Sequence, residues 1–151
     1  MRKRLKPFAT TAFLLLLCAV TPKCALTSGN MHSAFLFHFT HASIWHLLSN
    51  FYVIAYFKPR WVNLPVAYLS ASAAALMPFV GSSMPTVGIS GMIFAMLARR
   101  DAILHIWNWQ LLLLNTVLAL VPCYNWKIHL ISYIISFSIW KIYQNLINHS
   151  R

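Results

Sequence analysis

The sequence predicts an all-α membrane protein with six transmembrane helices, in a single domain spanning residues 1–151. Of the 151 residues, 60% are hydrophobic and only 9% are charged, whereas a soluble domain of this length has roughly a quarter of its residues charged. Long uncharged runs, such as residues 61–80, are also typical of a chain dissolved in lipid. We therefore expect a multi-pass protein of the cell membrane.

Six apolar segments separated by Pro and polar residues give the order of the helices. The turns are predicted at Pro22, 58–60, 81–85, 99–101 and 122–127. The helices are predicted at approximately 8–20, 44–56, 61–80, 88–98, 103–121 and 128–147. The fourth segment is short for a span of about 20 residues, so we expect its outer end to lie below the membrane surface.

The distribution of Lys and Arg orients these helices. With the N-terminus in the cytoplasm, ten basic residues fall on the cytoplasmic side and two, Lys23 and Lys127, on the other. This bias follows the positive-inside rule and predicts that both termini are cytoplasmic. The net charge of +11 does not indicate a nucleic-acid partner, because the basic residues alternate with apolar segments and form no continuous patch.

Two features near the N-terminus leave alternatives open. The first segment follows a basic stretch and resembles a signal peptide, but no small-residue cleavage site precedes Lys23, so we expect the helix to be retained. Cys24 and Cys123 fall in predicted loops. They form a disulfide in one interpretation and stay free thiols in the other.

The scarcity of acidic residues restricts the chemistry. Asp101 is the only Asp or Glu in the chain, which excludes paired-carboxylate proteases, HExxH zinc proteases and carboxylate-rich Ca²⁺ or Mg²⁺ sites. An enzyme with this sequence has to use Ser, His, Cys, Tyr, Lys, Asn and backbone groups.

Polar residues within the apolar segments are the candidates for function, because burying them is costly. In the predicted topology the second, fourth and sixth helices run in the same direction. His46 and Asn50, Ser90, and His129 each lie near the start of one of them. We therefore expect these four side chains at one depth. Asn125 and His38 are further polar candidates close to the same helices.

Ser90 and His129 form a candidate catalytic pair. Ser90 lies in Gly88-Ile89-Ser90-Gly91, a turn that would place the serine at a helix N-terminus, where backbone amides stabilise an oxyanion. His129 supplies the base that a serine nucleophile needs. Asp101 follows Ser90 by eleven residues, about 16 Å along a helix. A Ser–His–Asp triad is thereby excluded, and a Ser–His dyad is predicted.

His46 and Asn50 are candidates for the oxyanion hole. They are four residues apart and share a helix face, and the Asn amide offers hydrogen-bond donors. Alternatively, the pair bonds neighbouring helices. A third interpretation, a metal site at His38, His41 and His46, fits no common zinc spacing. We predict that the protein binds no metal and uses no cofactor.

The ordered set of motifs resembles the rhomboid family of intramembrane serine proteases. The matching pieces are residues 41–50 with His46 and Asn50, the Gly88–Gly91 turn with Ser90, and His129. The resemblance implies a rhomboid-like helical bundle in which Ser90 is the nucleophile and His129 the general base. It also implies that His46, Asn50 and the Ser90 N–H form the oxyanion hole, with Gly88 shaping its approach. The implied partners are the lipid bilayer and transmembrane protein substrates, cut near the outer membrane face.

Three departures from the family pattern concern gating and helix spacing. The loop between the first two helices is short and lacks the family's Trp-Arg pair, Phe94 replaces a frequent Tyr, and Ser132 and Ser136 replace glycines. Phe94 could still stack on His129. Two other functions stay open: an inactive rhomboid-like protein that binds transmembrane clients, and a small transporter.

Overall fold

The computed structural model describes residues 2–21, 23–26, 30–57, 61–80, 86–120 and 124–150. These residues form seven α-helices and no strand beyond an isolated bridge between Leu26 and Thr86. The helices are α1 (Arg2–Val20), α2 (Met31–Leu36), α3 (Ile44–Phe57), α4 (Leu64–Ala75), α5 (Ser90–Leu104), α6 (Trp109–Leu118) and α7 (Trp126–His149). Short 3-10 helices, Phe37–Phe39 and Trp61–Asn63, follow α2 and precede α4.

The prediction of six transmembrane helices is wrong. No helix among the described residues combines the length and the apolar character needed to cross a membrane. Helices α3 to α6 have 10 to 15 residues, fewer than the about 20 of a span. Helix α1 carries four basic residues in its first five positions, and α7 is long but interspersed with polar residues.

The predicted localisation and topology depend on those spans and are corrected with them. A multi-pass integral membrane protein with cytoplasmic termini requires several membrane-crossing helices, and the described part of the chain contains none. The prediction was wrong because it was based on the number of apolar residues in long segments. The folded chain breaks those segments into shorter helices.

Two of the corrected boundaries have clear local causes. The predicted break at 99–101 lies inside α5, which continues to Leu104 and is followed by His105 in the left-handed conformation (φ 55°). Helix α2 was not predicted, and the Asn30 side chain caps it by accepting a hydrogen bond from the Ser33 N–H. The predicted turns at 58–60 and 81–85 and the Cys24–Cys123 pair involve residues outside the described part of the chain.

Helix α5 is the centre of the molecule. Its residues from Gly91 to Met96 are all buried, and it packs against α4 and α7. One apolar cluster joins α5 to α1, α3 and α4, and a second joins its Phe94, Ala98 and Ala102 to α7. The second contact is close, since Ser136 Oγ donates to the Ala95 carbonyl at 2.7 Å. Helices α5 and α7 are therefore held side by side.

Candidate active site

Ser90 is the first residue of α5, and the segment before it is fixed by hydrogen bonds. Gly88 has φ +110°, a conformation that glycine adopts without a steric penalty. Its N–H donates to the Phe37 carbonyl at 3.0 Å, and Leu26 N–H donates to the Thr86 carbonyl at 2.8 Å. Helix α5 has no side-chain cap, so its first amides are left for other acceptors.

His129 lies in the first turn of α7 and contacts Ser90 directly. Its Nε2 is 2.7 Å from Ser90 Oγ, a normal hydrogen-bond length. The imidazole is buried, and its Nδ1 has no hydrogen-bond partner among the described residues. The structure thus brings together the two residues that the sequence analysis paired, while their catalytic roles stay a prediction.

Two aromatic rings pack against the His129 imidazole. The Phe94 ring centroid is 4.8 Å away with the planes inclined at 34°, and the Tyr124 ring is 4.6 Å away and stacked at 26°. Phe94 therefore makes the contact that the sequence had suggested for it. Tyr124 was not among the predicted site residues. Its place five residues before His129 was the available signal.

Burial keeps the His129 ring neutral. Loss of solvent, with a smaller effect of nearby His46, lowers the pKa of His129 from 6.5 to about 3. The neutral imidazole consequently predominates at pH 7. In this state Nε2 can accept the Ser90 hydroxyl proton, as general-base chemistry requires.

His46 and Asn50 lie beside Gly88. A Cβ built on Gly88 would lie 2.7 Å from His46 Cε1 and 3.5 Å from Asn50 Nδ2. Asn50 is buried, and its Nδ2 has no acceptor among the described residues. An amide donor without an acceptor is costly unless a ligand uses it. The His46 ring also contacts His41 at 5.2 Å between centroids.

Ser90, His46 and Asn50 all line one cavity of about 430 Å³. Its polar lining includes Ser90, His46, Ser49, Asn50 and Asn108. Most of the rest is apolar and comes from α3, α5 and α6, namely Val53, Phe57, Ile93, Phe94, Leu97, Leu111 and Leu114, with Tyr124 at one side. The cavity has the size and the mostly apolar lining typical of small-ligand and substrate sites.

Asp101, the single acidic residue, lies away from the Ser90–His129 pair. Asp101 is 2% exposed, and Tyr133 donates a hydrogen bond to its Oδ2 at 2.9 Å. Burial raises the pKa of Asp101, an effect opposed by Tyr133, Arg100 and Asn108. Because the carboxyl group is bound near the C-terminal end of α5, it is not a partner of His129.

Other polar candidates have structural contacts. Asn125 donates from Nδ2 to the Val80 carbonyl and to Thr86 Oγ1, at 3.1 and 2.9 Å, and so connects these two residues to the start of α7. The described residues contain no cluster of three His, Cys, Asp or Glu suited to a metal. The metal-free site stays a prediction.

His38 forms a second Ser–His pair that differs in access. Its Nε2 is 3.1 Å from Ser72 Oγ, but His38 and Ser72 are 0% and 1% exposed. A substrate cannot reach this pair. Both pairs are hydrogen-bonded, but only Ser90 lines the cavity. Access to this cavity distinguishes the Ser90–His129 pair from the His38–Ser72 pair.

Comparisons with known proteins give no match. No protein family, no curated protein and no solved structure resembles this chain closely enough to be identified. The similarity to the rhomboid family consequently has no support beyond the motifs themselves.

Proposed function

We propose that the protein is a serine endopeptidase that uses a Ser90–His129 dyad. The observation that carries the proposal is the 2.7 Å contact between His129 Nε2 and Ser90 Oγ at the wall of a 430 Å³ cavity. The unpartnered Asn50 Nδ2 beside Gly88 is additional support.

In the proposed reaction Ser90 Oγ attacks the scissile carbonyl while its proton moves to His129 Nε2. The resulting oxyanion accepts hydrogen bonds from the Ser90 N–H, Asn50 Nδ2 and His46. His129 then protonates the leaving amine, the C–N bond breaks, and an ester on Ser90 remains. Water hydrolyses this ester with His129 again as base, releasing the acid and restoring both side chains.

The cavity lining indicates the substrate class. Apolar side chains from three helices surround the nucleophile, so we propose polypeptides with an apolar segment at the cleavage site. Segments of membrane proteins, the substrates that the family resemblance implies, are one source of such sequences. The proposal concerns the reaction and not a location in the membrane.

Active-site labelling tests the nucleophile. The purified protein is treated with a fluorophosphonate probe, as wild type, Ser90→Ala, His129→Ala and Ser72→Ala. We expect the wild type and Ser72→Ala to be labelled, because Ser72 belongs to the buried pair. The Ser90 and His129 variants should lose labelling by at least about 100-fold, as losses of a catalytic nucleophile or base do.

Peptide cleavage then tests the reaction. Fluorogenic peptides with apolar and small residues around one scissile bond are incubated with the same four proteins. Cleavage that depends on Ser90 and His129 supports the endopeptidase. Binding of these peptides with equal affinity by wild type and Ser90→Ala, and no cleavage by either, would instead indicate a protein that only binds clients.

A further inference from the structure

The His129 imidazole lacks the group that usually orients a catalytic histidine. In Ser–His–Asp enzymes a carboxylate accepts the Nδ1 proton and holds the ring. Here Nδ1 has no partner among the described residues, and the one carboxylate in the chain is bound to Tyr133. Something else has to keep Nε2 directed at Ser90.

The ring contacts supply that restraint. Tyr124 stacks on the imidazole at 4.6 Å with the planes 26° apart, and Phe94 packs on it at 4.8 Å. Rotation of the imidazole out of its plane would drive its edge into these rings. Phe94 comes from α5 and Tyr124 from the segment that leads into α7, so the restraint is independent of the Ser90 hydrogen bond.

The same ring contacts also affect the positive charge that His129 acquires in the proposed reaction. His129 becomes an imidazolium when it takes the Ser90 proton, in a buried environment that otherwise disfavours charge. The face of an aromatic ring attracts a cation, and the attraction is larger where water is excluded. Tyr124 also lines the cavity beside Ser90, so it lies where the charge develops.

We infer that Tyr124 is a positioning residue of the dyad, whose ring orients the His129 imidazole and stabilises its protonated form in place of the missing carboxylate. The inference rests on the proposed function. It assigns the effect to the aromatic ring of Tyr124 and not to its hydroxyl group.

Rates of fluorophosphonate labelling measure the effect without knowledge of the natural substrate. The variants are Tyr124→Phe, which keeps the ring, and Tyr124→Leu and Tyr124→Met, which remove it. Tyr143→Leu is the matched control, because Tyr143 lies on α7 but is 54% exposed and packs only on Trp140 among the ring contacts of the described residues. Thermal unfolding of each variant identifies any that are not folded.

We expect Tyr124→Phe and Tyr143→Leu to react within about twofold of wild type, and folded Leu or Met variants of Tyr124 to react about tenfold more slowly. Wild-type rates in both non-aromatic variants would overturn the inference, and so would an equal loss in Tyr124→Phe. Labelling of Ser90→Ala at the wild-type rate would instead refute the proposed function, whatever the Tyr124 variants do.

Discussion

At the scale of single residues, Gly88 determines how closely the α5 start approaches α3. Its positive φ strains any residue with a side chain, and a built Cβ would lie 2.7 Å from His46 Cε1, so the His46 ring would have to shift. Gly91, one turn away, differs: it is helical, and its built Cβ would be 3.4 Å from Ile128 Cγ1 and Ser132 Oγ. The two glycines therefore form a matched pair.

Gly88→Ala is expected to lower the free energy of unfolding by about 1–3 kcal/mol, because alanine is strained at this φ. It should also slow Ser90 labelling by at least about tenfold, since His46 has to move. Gly91→Ala is expected to cost less, because alanine favours the helix. Urea unfolding and labelling rates check this, and equal effects of the two substitutions would contradict it.

His129 gives a prediction about pH. Because burial lowers its pKa to about 3, the base is neutral from pH 5 to pH 8. The Ser90 labelling rate should then change by less than about twofold across this range. A rate that falls by half near pH 6.5, where an exposed histidine titrates, would show that the imidazole is not shielded from water.

At the scale of elements, a buried hydrogen bond between Tyr133 and Asp101 connects the C-terminal part of α5 to the middle of α7. Tyr133 is fully buried and donates to Asp101 Oδ2, and its oxygen also accepts from the Asn108 N–H at 3.4 Å. Asn108 in turn caps α6 by accepting from the Leu111 N–H. Tyr133 thus links α5, α6 and α7.

Tyr133→Phe is expected to lower the free energy of unfolding by about 1–3 kcal/mol, because it removes the hydroxyl donor of Tyr133 from the buried Asp101 carboxyl group. Tyr143→Phe, on the exposed face of the same helix, should change it by less than about 0.5 kcal/mol. Urea denaturation compares the two. Equal values would mean that the Asp101 contact contributes nothing to stability.

Helix positions were predictable where the apolar pattern and its ends agree. The predicted helix at 44–56 corresponds to α3 (Ile44–Phe57). The predicted helix at 61–80 shortens to α4 (Leu64–Ala75), because an uncharged segment does not show where the chain turns. The break predicted at 99–101 failed since Asp101 finds a buried donor in Tyr133, a long-range contact that no local pattern reveals.

At the scale of the whole molecule, the loss of folding stability at acidic pH should come from histidines. The chain has one acidic residue, so protonation of paired carboxylates, the usual cause of acid unfolding, contributes little. Burial instead lowers the pKa of both His38 and His129 to about 3. Their neutral forms are favoured in the folded state alone.

Below pH 6.5 the unfolded chain binds protons that the folded chain does not, so stability falls as pH decreases. Each of the two histidines should remove about 1.4 kcal/mol per pH unit between pH 6.5 and about 3. Asp101, with its raised pKa, has the opposite sign at the acidic end. Burial also lowers the pKa of His41, to about 4, and that of His46. Urea unfolding at pH 7, 6 and 5 tests this, and His38→Gln should reduce the slope by roughly a third. A flat profile would contradict it.

The four candidate site residues come together for a reason other than the predicted one. His46, Asn50, Ser90 and His129 were expected together because transmembrane helices would share a depth, yet the described residues include no membrane-crossing helix. They meet through the packing of α5 on α7 and the fixed turn at Gly88. Residue chemistry was sufficient to select Ser90 and His129. The Tyr124 stacking depends on tertiary structure, and its one signal in the sequence was the place of Tyr124 five residues before His129.

The unpartnered Nδ1 of His129 bears on which neutral tautomer the imidazole adopts. Nε2 can accept a proton from Ser90 or, in the other neutral tautomer, donate one to it, and only the first arrangement activates the serine. Among the described residues no acceptor on Nδ1 favours the first tautomer. In the proposed reaction the observed rate would equal the rate of the competent tautomer multiplied by its fraction, so any population of the other tautomer would lower it.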